Sequence, residues 1–209
     1  MKISEIFNLE HTITKDYLSS FTYGWEALSG LSRFISEVGA SLSDEYTEIS
    51  ENIWVHKSAV VSPSACIKGP AIIGKGSEIR HCAFIRGSVI IGEGCTIGNS
   101  TEIKSSVLFD SVQVPHFNYI GDSILGYKVH FGAGVITSNV KSDKTLITVK
   151  GVSHIKTNLR KFGALVGDYT EIGCNTVLNP GTVIGRNVTI YPLSNVRGVI
   201  PDSYIYKSS

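Results

Sequence analysis

Excess charge of either sign is missing from this chain. Nineteen Lys and Arg stand against eighteen Asp and Glu, leaving a net charge of +1 over 209 residues. No bulk field therefore favours nucleic acid or an anionic membrane. Long apolar runs are missing too: no uncharged stretch approaches the ~18 residues of a membrane span, so no membrane association is expected. Glu5 and Glu10 interrupt the amino-terminal segment, so no signal peptide is expected and a cytoplasmic location follows. Cysteine pairs are also lacking. Cys66, Cys82, Cys95 and Cys174 form no C-x-x-C, which argues against zinc ribbons and redox motifs and leaves buried reduced thiols as the expectation. Methionine occurs once, whereas glycine occurs 21 times, as suits a chain rich in turns.

What is present is a six-residue repeat. Val55, Val61, Ile67, Ile73, Ile79, Ile85, Ile91, Ile97 and Ile103 follow one another at an unbroken spacing of six. A helical period would drift off one face over that length, and a hairpin pattern would alternate every two residues. Two positions before each aliphatic the residue is mostly small: Ala59, Ala65, Ala71, Ser77, Ala83, Cys95 and Thr101. Gly74, Gly92 and Gly98 follow directly after. Each unit reads as a short strand that sends one large and one small side chain inward and ends in a tight turn. Stacking equivalent strands one coil apart builds the core, so an all-β solenoid, a parallel β-helix, is predicted. The register slips by one at Leu108 and again at Leu125, and it resumes from Val166 to Val196 in steps of six.

Two segments stand outside the repeat. In residues 1–50, Leu18, Phe21, Trp25, Leu28, Leu31 and Ile35 lie near helical spacing. One or two helices are expected there, capping the first coil, with partner binding as the alternative. Residues 51–209 form the β-helix domain. Within it a basic loop, about 138–162, is thrown out from the coil.

The repeat resembles that of the hexapeptide-repeat acyltransferases, and that resemblance implies a left-handed β-helix. The segment Asn99 to Val140 is more specific. It resembles the acetyltransferase half of bifunctional bacterial N-acetylglucosamine-1-phosphate uridylyltransferases and of archaeal sugar-phosphate nucleotidylyltransferases. Lys161 to Gly185 is most similar to the archaeal group. The resemblance covers roughly residues 53–200. It implies acetyl-CoA as co-substrate, no metal requirement, a homotrimer, and a place in nucleotide-sugar and cell-envelope biosynthesis. The nucleotidyl half is not expected, because fifty residues ahead of the repeat cannot hold it.

The site residues come from the same resemblance. His116-Phe117-Asn118-Tyr119-Ile120-Gly121-Asp122 matches the family's H-x-x-Y-[IL]-G-D, which makes His116 the general base. The chemistry suits histidine: an amine attacking a thioester must lose a proton, and an imidazole of pKa about 6.5 can take it. Glu102 matches a carboxylate that orients the base, and Ala133 in Phe131-Gly132-Ala133-Gly134 matches an N–H that donates to the oxyanion. Arg86 and Lys104, eighteen residues apart, match two cations for the substrate phosphate, and one coil of spacing predicts that they stack. Tyr119, Asn139 and Lys144 match sugar contacts. His130 replaces a family Asn that touches substrate. Cys174 and Pro192 stand at positions facing CoA, and Lys161, with Lys150, Lys156 and Arg160, belongs to a set of loop cations that would meet CoA phosphates or remain solvated.

The function implied is acetyl-CoA-dependent N-acetylation of an amino sugar phosphate, such as a hexosamine 1-phosphate. The alternative is a non-catalytic β-helix subunit that binds a sugar phosphate or nucleotide sugar. A γ-type carbonic anhydrase would share the fold, but its zinc requires a His pair five residues apart on one turn. His81, His116, His130 and His154 supply no such pair.

Overall fold

The computed structural model describes residues 1–207. Ser208 and Ser209, at the end of the expected β-helix domain, lie outside the described residues. From Ile53 onward each hexad forms a strand of two to four residues and then a turn, and three hexads complete a coil. Equivalent strands pair in parallel register, giving three faces of eight, eight and seven strands, and an antiparallel strand adds a ninth at the edge of the first. The first face begins at Ile53–His56, the second at Val60–Val61 and the third at Cys66–Ile67. The architecture is the parallel β-helix expected.

The aliphatic at every sixth position forms the inner columns. On the third face Ile67, Ile85, Ile103 and Ile120 stand in register. On the first, Val55, Ile73, Ile91, Leu108, Leu125, Val166, Ile184 and Ile200 do the same. Nearly all are fully buried, and each contributes about 1.5–3 kcal/mol of transfer free energy. The small inward position has its own chemistry. Where it is Ser77, Thr101 or Thr170, the hydroxyl donates to a carbonyl of the next coil: Gly92, Val114 and Gly185 at 2.7, 3.0 and 3.0 Å. A buried hydroxyl is thereby satisfied inside an apolar core.

The register slips have one location. Both steps of five, Ile103 to Leu108 and Ile120 to Leu125, cross the corner from the third face to the first. A single left-handed residue turns that corner in each case, Ser105 and Asp122. The insertion also leaves from this corner. It is an ordered element, because Thr148–Lys150 pairs antiparallel with His154–Lys156 and folds back onto the coil. Ile147, Val149 and Phe162 are buried in a second apolar cluster on the outside of the first face.

That cluster corrects the expected role of the amino-terminal helices. Ile3–Ile6, Lys15–Ser19, Gly24–Ala27 and Leu31–Gly39 lie along the first face and do not close the end of the coil. Their Ile6, Leu18, Trp25, Leu31 and Ile35 pack on an outward row of Trp54, Ile72, Ile90, Val107, Ile124, Leu165 and Val183. The coil edge is covered instead by Tyr46–Ser50, which pairs antiparallel with Ile53–His56. The segment is tied down by two carboxylate-bearing turns. Asp168 accepts from the Asn8 and Tyr127 N–H groups at 2.7 and 2.8 Å, and the Asp110 N–H donates to the His11 carbonyl at 3.0 Å.

The cysteines also depart from expectation. Cys95 is buried at the small inward position, and burial pushes its thiol up to about 12. Cys66, Cys82 and Cys174 are exposed, because they fall on an outward strand position and on turns.

Candidate active site

A ladder of backbone hydrogen bonds runs along the corner between the second and third faces. Phe117 N–H donates to Asn99 O, Gly134 to His116, Asn175 to Ala133 and Leu193 to Cys174, at 2.9, 3.0, 2.8 and 2.9 Å. Asn99, His116, Ala133, Cys174 and Pro192 thus occupy the same place in successive coils, spaced by about 4.8 Å. Each is followed by a residue with positive φ: Ser100, Phe117, Gly134, Asn175 and Leu193. Close stacking is enforced where Gly98 meets the next coil, since a Cβ there would come within 1.5 Å of the Pro115 carbonyl oxygen. Four residues singled out separately in the sequence, His116, Ala133, Cys174 and Pro192, therefore form one column.

The His116 ring is exposed at this corner. Its backbone is held by Asn118, whose Oδ1 accepts from the His116 N–H at 3.1 Å. The Asn118 amide donates in turn to the Gly132 carbonyl at 2.8 Å. Asn118 is 2% exposed, so a buried amide fixes the His116 turn to the turn that carries Ala133. Among the described residues the Ala133 N–H donates to no protein acceptor. A free donor one coil from an imidazole is an arrangement that can serve an oxyanion beside a base.

The third face carries the charged groups. Phe84, Glu102 and Tyr119 are in register, as outward neighbours on consecutive coils. Arg86 donates to Glu102 at 2.6 Å, and this partner raises the guanidinium further above its ordinary value. Lys104 donates to Asp122 at 2.9 Å. Asn139 donates to Tyr119 Oη at 3.3 Å and to the Asp122 carboxylate. Arg86 and Lys104 lie one coil apart as their spacing predicts, and Glu102, Tyr119 and Asn139 stand beside them. Glu102 faces Arg86, however, and among the described residues it makes no hydrogen bond to His116.

On the second face His130 Nδ1 lies 2.7 Å from Glu171 Oε2. Both line a shallow apolar groove with Gly132, Cys174, Tyr191 and Pro192. His130, Cys174 and Pro192 are therefore neighbours, next to the turn that bears Ala133. Two expected residues do not join the site. Lys144 is exposed on a turn where its own N–H donates to the Lys141 carbonyl at 2.9 Å. Lys161 is exposed at the base of the insertion, beside Phe162. Among the described residues neither side chain has a hydrogen bond or ion pair to the cluster. Two residues were missed. Asp122 closes the H-x-x-Y-[IL]-G-D segment and directly follows Gly121, the register partner of Lys104 one coil away. Asn118 could have been found as a polar residue at a small inward position. No group of three or more His, Cys, Asp or Glu among the described residues could hold a metal.

Residues 67–157 match the model of the GMPPB C-terminal domain. A protein named Bifunctional protein GlmU, from Methanococcus maripaludis strain S2, is 31% identical over 99% of this chain and 51% of its own length. The chain is similar along nearly its whole length to an archaeal protein of that name. It spans about half the length of that relative. A bifunctional sugar-1-phosphate nucleotidylyltransferase/acetyltransferase of Sulfurisphaera tokodaii is 36% identical over 41% of this chain and 22% of its own length. A solved structure, the acetyltransferase domain of PglB from Neisseria gonorrhoeae with acetyl coenzyme A, aligns with 83% of this chain and 60% of its own. Its identity is 20% and its TM-score 0.39.

Proposed function

We propose that the chain is an acetyl-CoA-dependent N-acetyltransferase of a hexosamine 1-phosphate, acting as a cytoplasmic homotrimer. The observation that carries this reading is the corner column, with the His116 imidazole one coil from the free Ala133 N–H and the Arg86–Glu102 and Lys104–Asp122 pairs alongside. The amine nitrogen attacks the thioester carbon, and His116 takes the proton that nitrogen loses. The carbonyl oxygen becomes an oxyanion that accepts from Ala133 N–H. Collapse of the adduct breaks the carbon–sulfur bond, and His116 returns its proton to the departing CoA thiolate. The acetyl-CoA chain lies along the column toward Cys174 and Pro192, with His130 beside it.

Arg86 and Lys104 receive the sugar phosphate, while Tyr119 and Asn139 contact the sugar. Both cations are already paired, with Glu102 and Asp122. A phosphate dianion is the stronger partner for Arg86, because it carries a second negative charge while still offering the guanidinium fork two oxygens. Substrate binding then releases Glu102 toward His116, so the orienting carboxylate is supplied when the acceptor arrives. Lys144 and Lys161 serve only if the insertion moves or a second copy presents it.

The test is thiol release from acetyl-CoA with glucosamine 1-phosphate and, in parallel, galactosamine 1-phosphate. Release should depend on the sugar phosphate and fall about 10²–10⁴-fold in His116→Ala. No release with either sugar by folded protein would sink the acetyltransferase reading. It would favour a non-catalytic subunit that binds a sugar phosphate, a role the resting Arg86–Glu102 pair would also permit.

A further inference from the structure

A second cationic site lies away from the corner column. The hairpin of the insertion is pressed onto the coil and leaves a cleft of about 160 Å³, lined by Lys141, Thr148, Lys150, Asn179, Pro180, Gly181, Arg197 and Gly198. Three of these are cations, drawn from the start of the insertion, its hairpin and the last full coil. Among the described residues no carboxylate lines this cleft, and Asp143 lines the adjoining hollow that shares Lys141, Asn179 and Arg197 with it. Lys141 has Asp143 at 3.4 Å. Among the described residues Lys150 and Arg197 enter no ion pair.

The walls are built and are not an accident of two loose loops. Gly181 and Gly198 have φ of +82° and +79°. A Cβ on Gly198 would come within 2.5 Å of the Lys150 carbonyl oxygen, and one on Gly181 within 2.8 Å of the Ile147 side chain. The hairpin strand is anchored by the buried Ile147 and Val149. Only glycine lets the strand approach this closely, and the approach brings Lys150 and Arg197 to one opening. Holding like charges together costs free energy unless an anion joins them.

We infer that this cleft binds a phosphate group. Arg197 stands in the same outward column as Lys104, four coils further on and roughly 19 Å away at the usual inter-strand spacing. It is therefore separate from the Arg86–Lys104 pair. An Arg fork with flanking Lys charges suits a phosphoryl dianion, whose two charges several cations can share. The phosphate is either part of CoA or part of a separate small phosphorylated ligand. The inference does not rest on the acetyltransferase reading.

The experiment is calorimetric titration of the full chain at low salt with inorganic pyrophosphate, CoA and dephospho-CoA. Arg197→Ala, Lys150→Ala and the double variant are compared with Lys75→Ala, an exposed lysine outside the cleft. Both cleft side chains are exposed, and circular dichroism checks that each variant is folded. Each cleft variant should weaken binding about tenfold and the double variant more, with Lys75→Ala unchanged and Arg197→Lys partly restored. Weakening of CoA with dephospho-CoA unaffected assigns the CoA 3′-phosphate to the cleft. Weakening of pyrophosphate with CoA unaffected assigns a separate ligand. If neither pyrophosphate nor CoA affinity responds to the double variant, the inference is overturned. Pyrophosphate held at Arg86 and Lys104 would give that result. Loss of thiol release alone would leave the titration untouched, so the two readings fail separately.

Discussion

At the scale of single residues the candidate site depends on few groups, and one carboxylate far from it sets a measurable pH response. Asp168 is 1% exposed. Burial raises its pKa above the usual carboxylate range, although the Asn8 and Tyr127 N–H groups and nearby Arg186 act in the opposite direction. The folded state therefore holds this proton more tightly than the unfolded chain does. Its contribution is fully present below the ordinary value of 3.8 and is lost as pH rises through the higher folded value. Asn at 168 cannot titrate. It also leaves one of the two N–H donors without an acceptor, a constant cost of about 1–3 kcal/mol. Denaturant unfolding from pH 4 to 7 should show the advantage of wild type over Asp168→Asn shrinking as pH rises. A flat or growing advantage would mean that the N–H donors outweigh burial.

At the scale of elements, the contact between helix and coil tests which of two effects wins. Gly39 ends Leu31–Gly39, and a Cβ there would lie 2.2 Å from the Trp54 indole. Ala is favoured over Gly in a helix by about 0.5–1 kcal/mol. Overpacking against a buried ring costs about 1–3 kcal/mol, and Trp54 is itself held in the outer cluster. Gly39→Ala should therefore lower stability despite its better propensity, read as a lower midpoint in urea. A raised midpoint would show that the helix can shift on the face without loss. The helices were legible as helices because their apolar spacing is local. Where they dock was not read, although a signal existed. On the first face the strands are apolar at three successive positions: Ile53-Trp54-Val55, Ala71-Ile72-Ile73 and Val89-Ile90-Ile91. The middle residue of each points away from the coil interior and needs its own cover. The insertion was legible only as an interruption, since its Ile147, Val149 and Phe162 find partners on residues distant in sequence.

At the scale of the whole molecule, the repeat was fully legible because every coil repeats one local pattern with one partner above and one below. The site was legible in part for the same reason. A spacing of eighteen places Lys104 beside Arg86, but the pairing of Glu102 with Arg86 depends on side-chain direction, which spacing does not fix. The outer row on the first face supplies the last prediction. Trp54, Ile72, Ile90, Val107, Ile124, Leu165 and Val183 are buried beneath the helices and the hairpin. Uncovering them would create one contiguous apolar stripe, of the kind that drives association when it exceeds a few hundred Å². Each side chain returned to water costs about 1.5–3 kcal/mol, whereas a domain of this kind has about 5–15 kcal/mol in all. A chain starting at Ser43 keeps the edge strand Tyr46–Ser50 and every coil strand. It should nevertheless aggregate or unfold, as measured by size-exclusion chromatography with light scattering at micromolar concentration. The full chain should elute at three times its 22.6 kDa mass. A truncated chain that stays monodisperse with an unchanged melting temperature would show that the coil is stable alone. The helices would then be free to serve a partner.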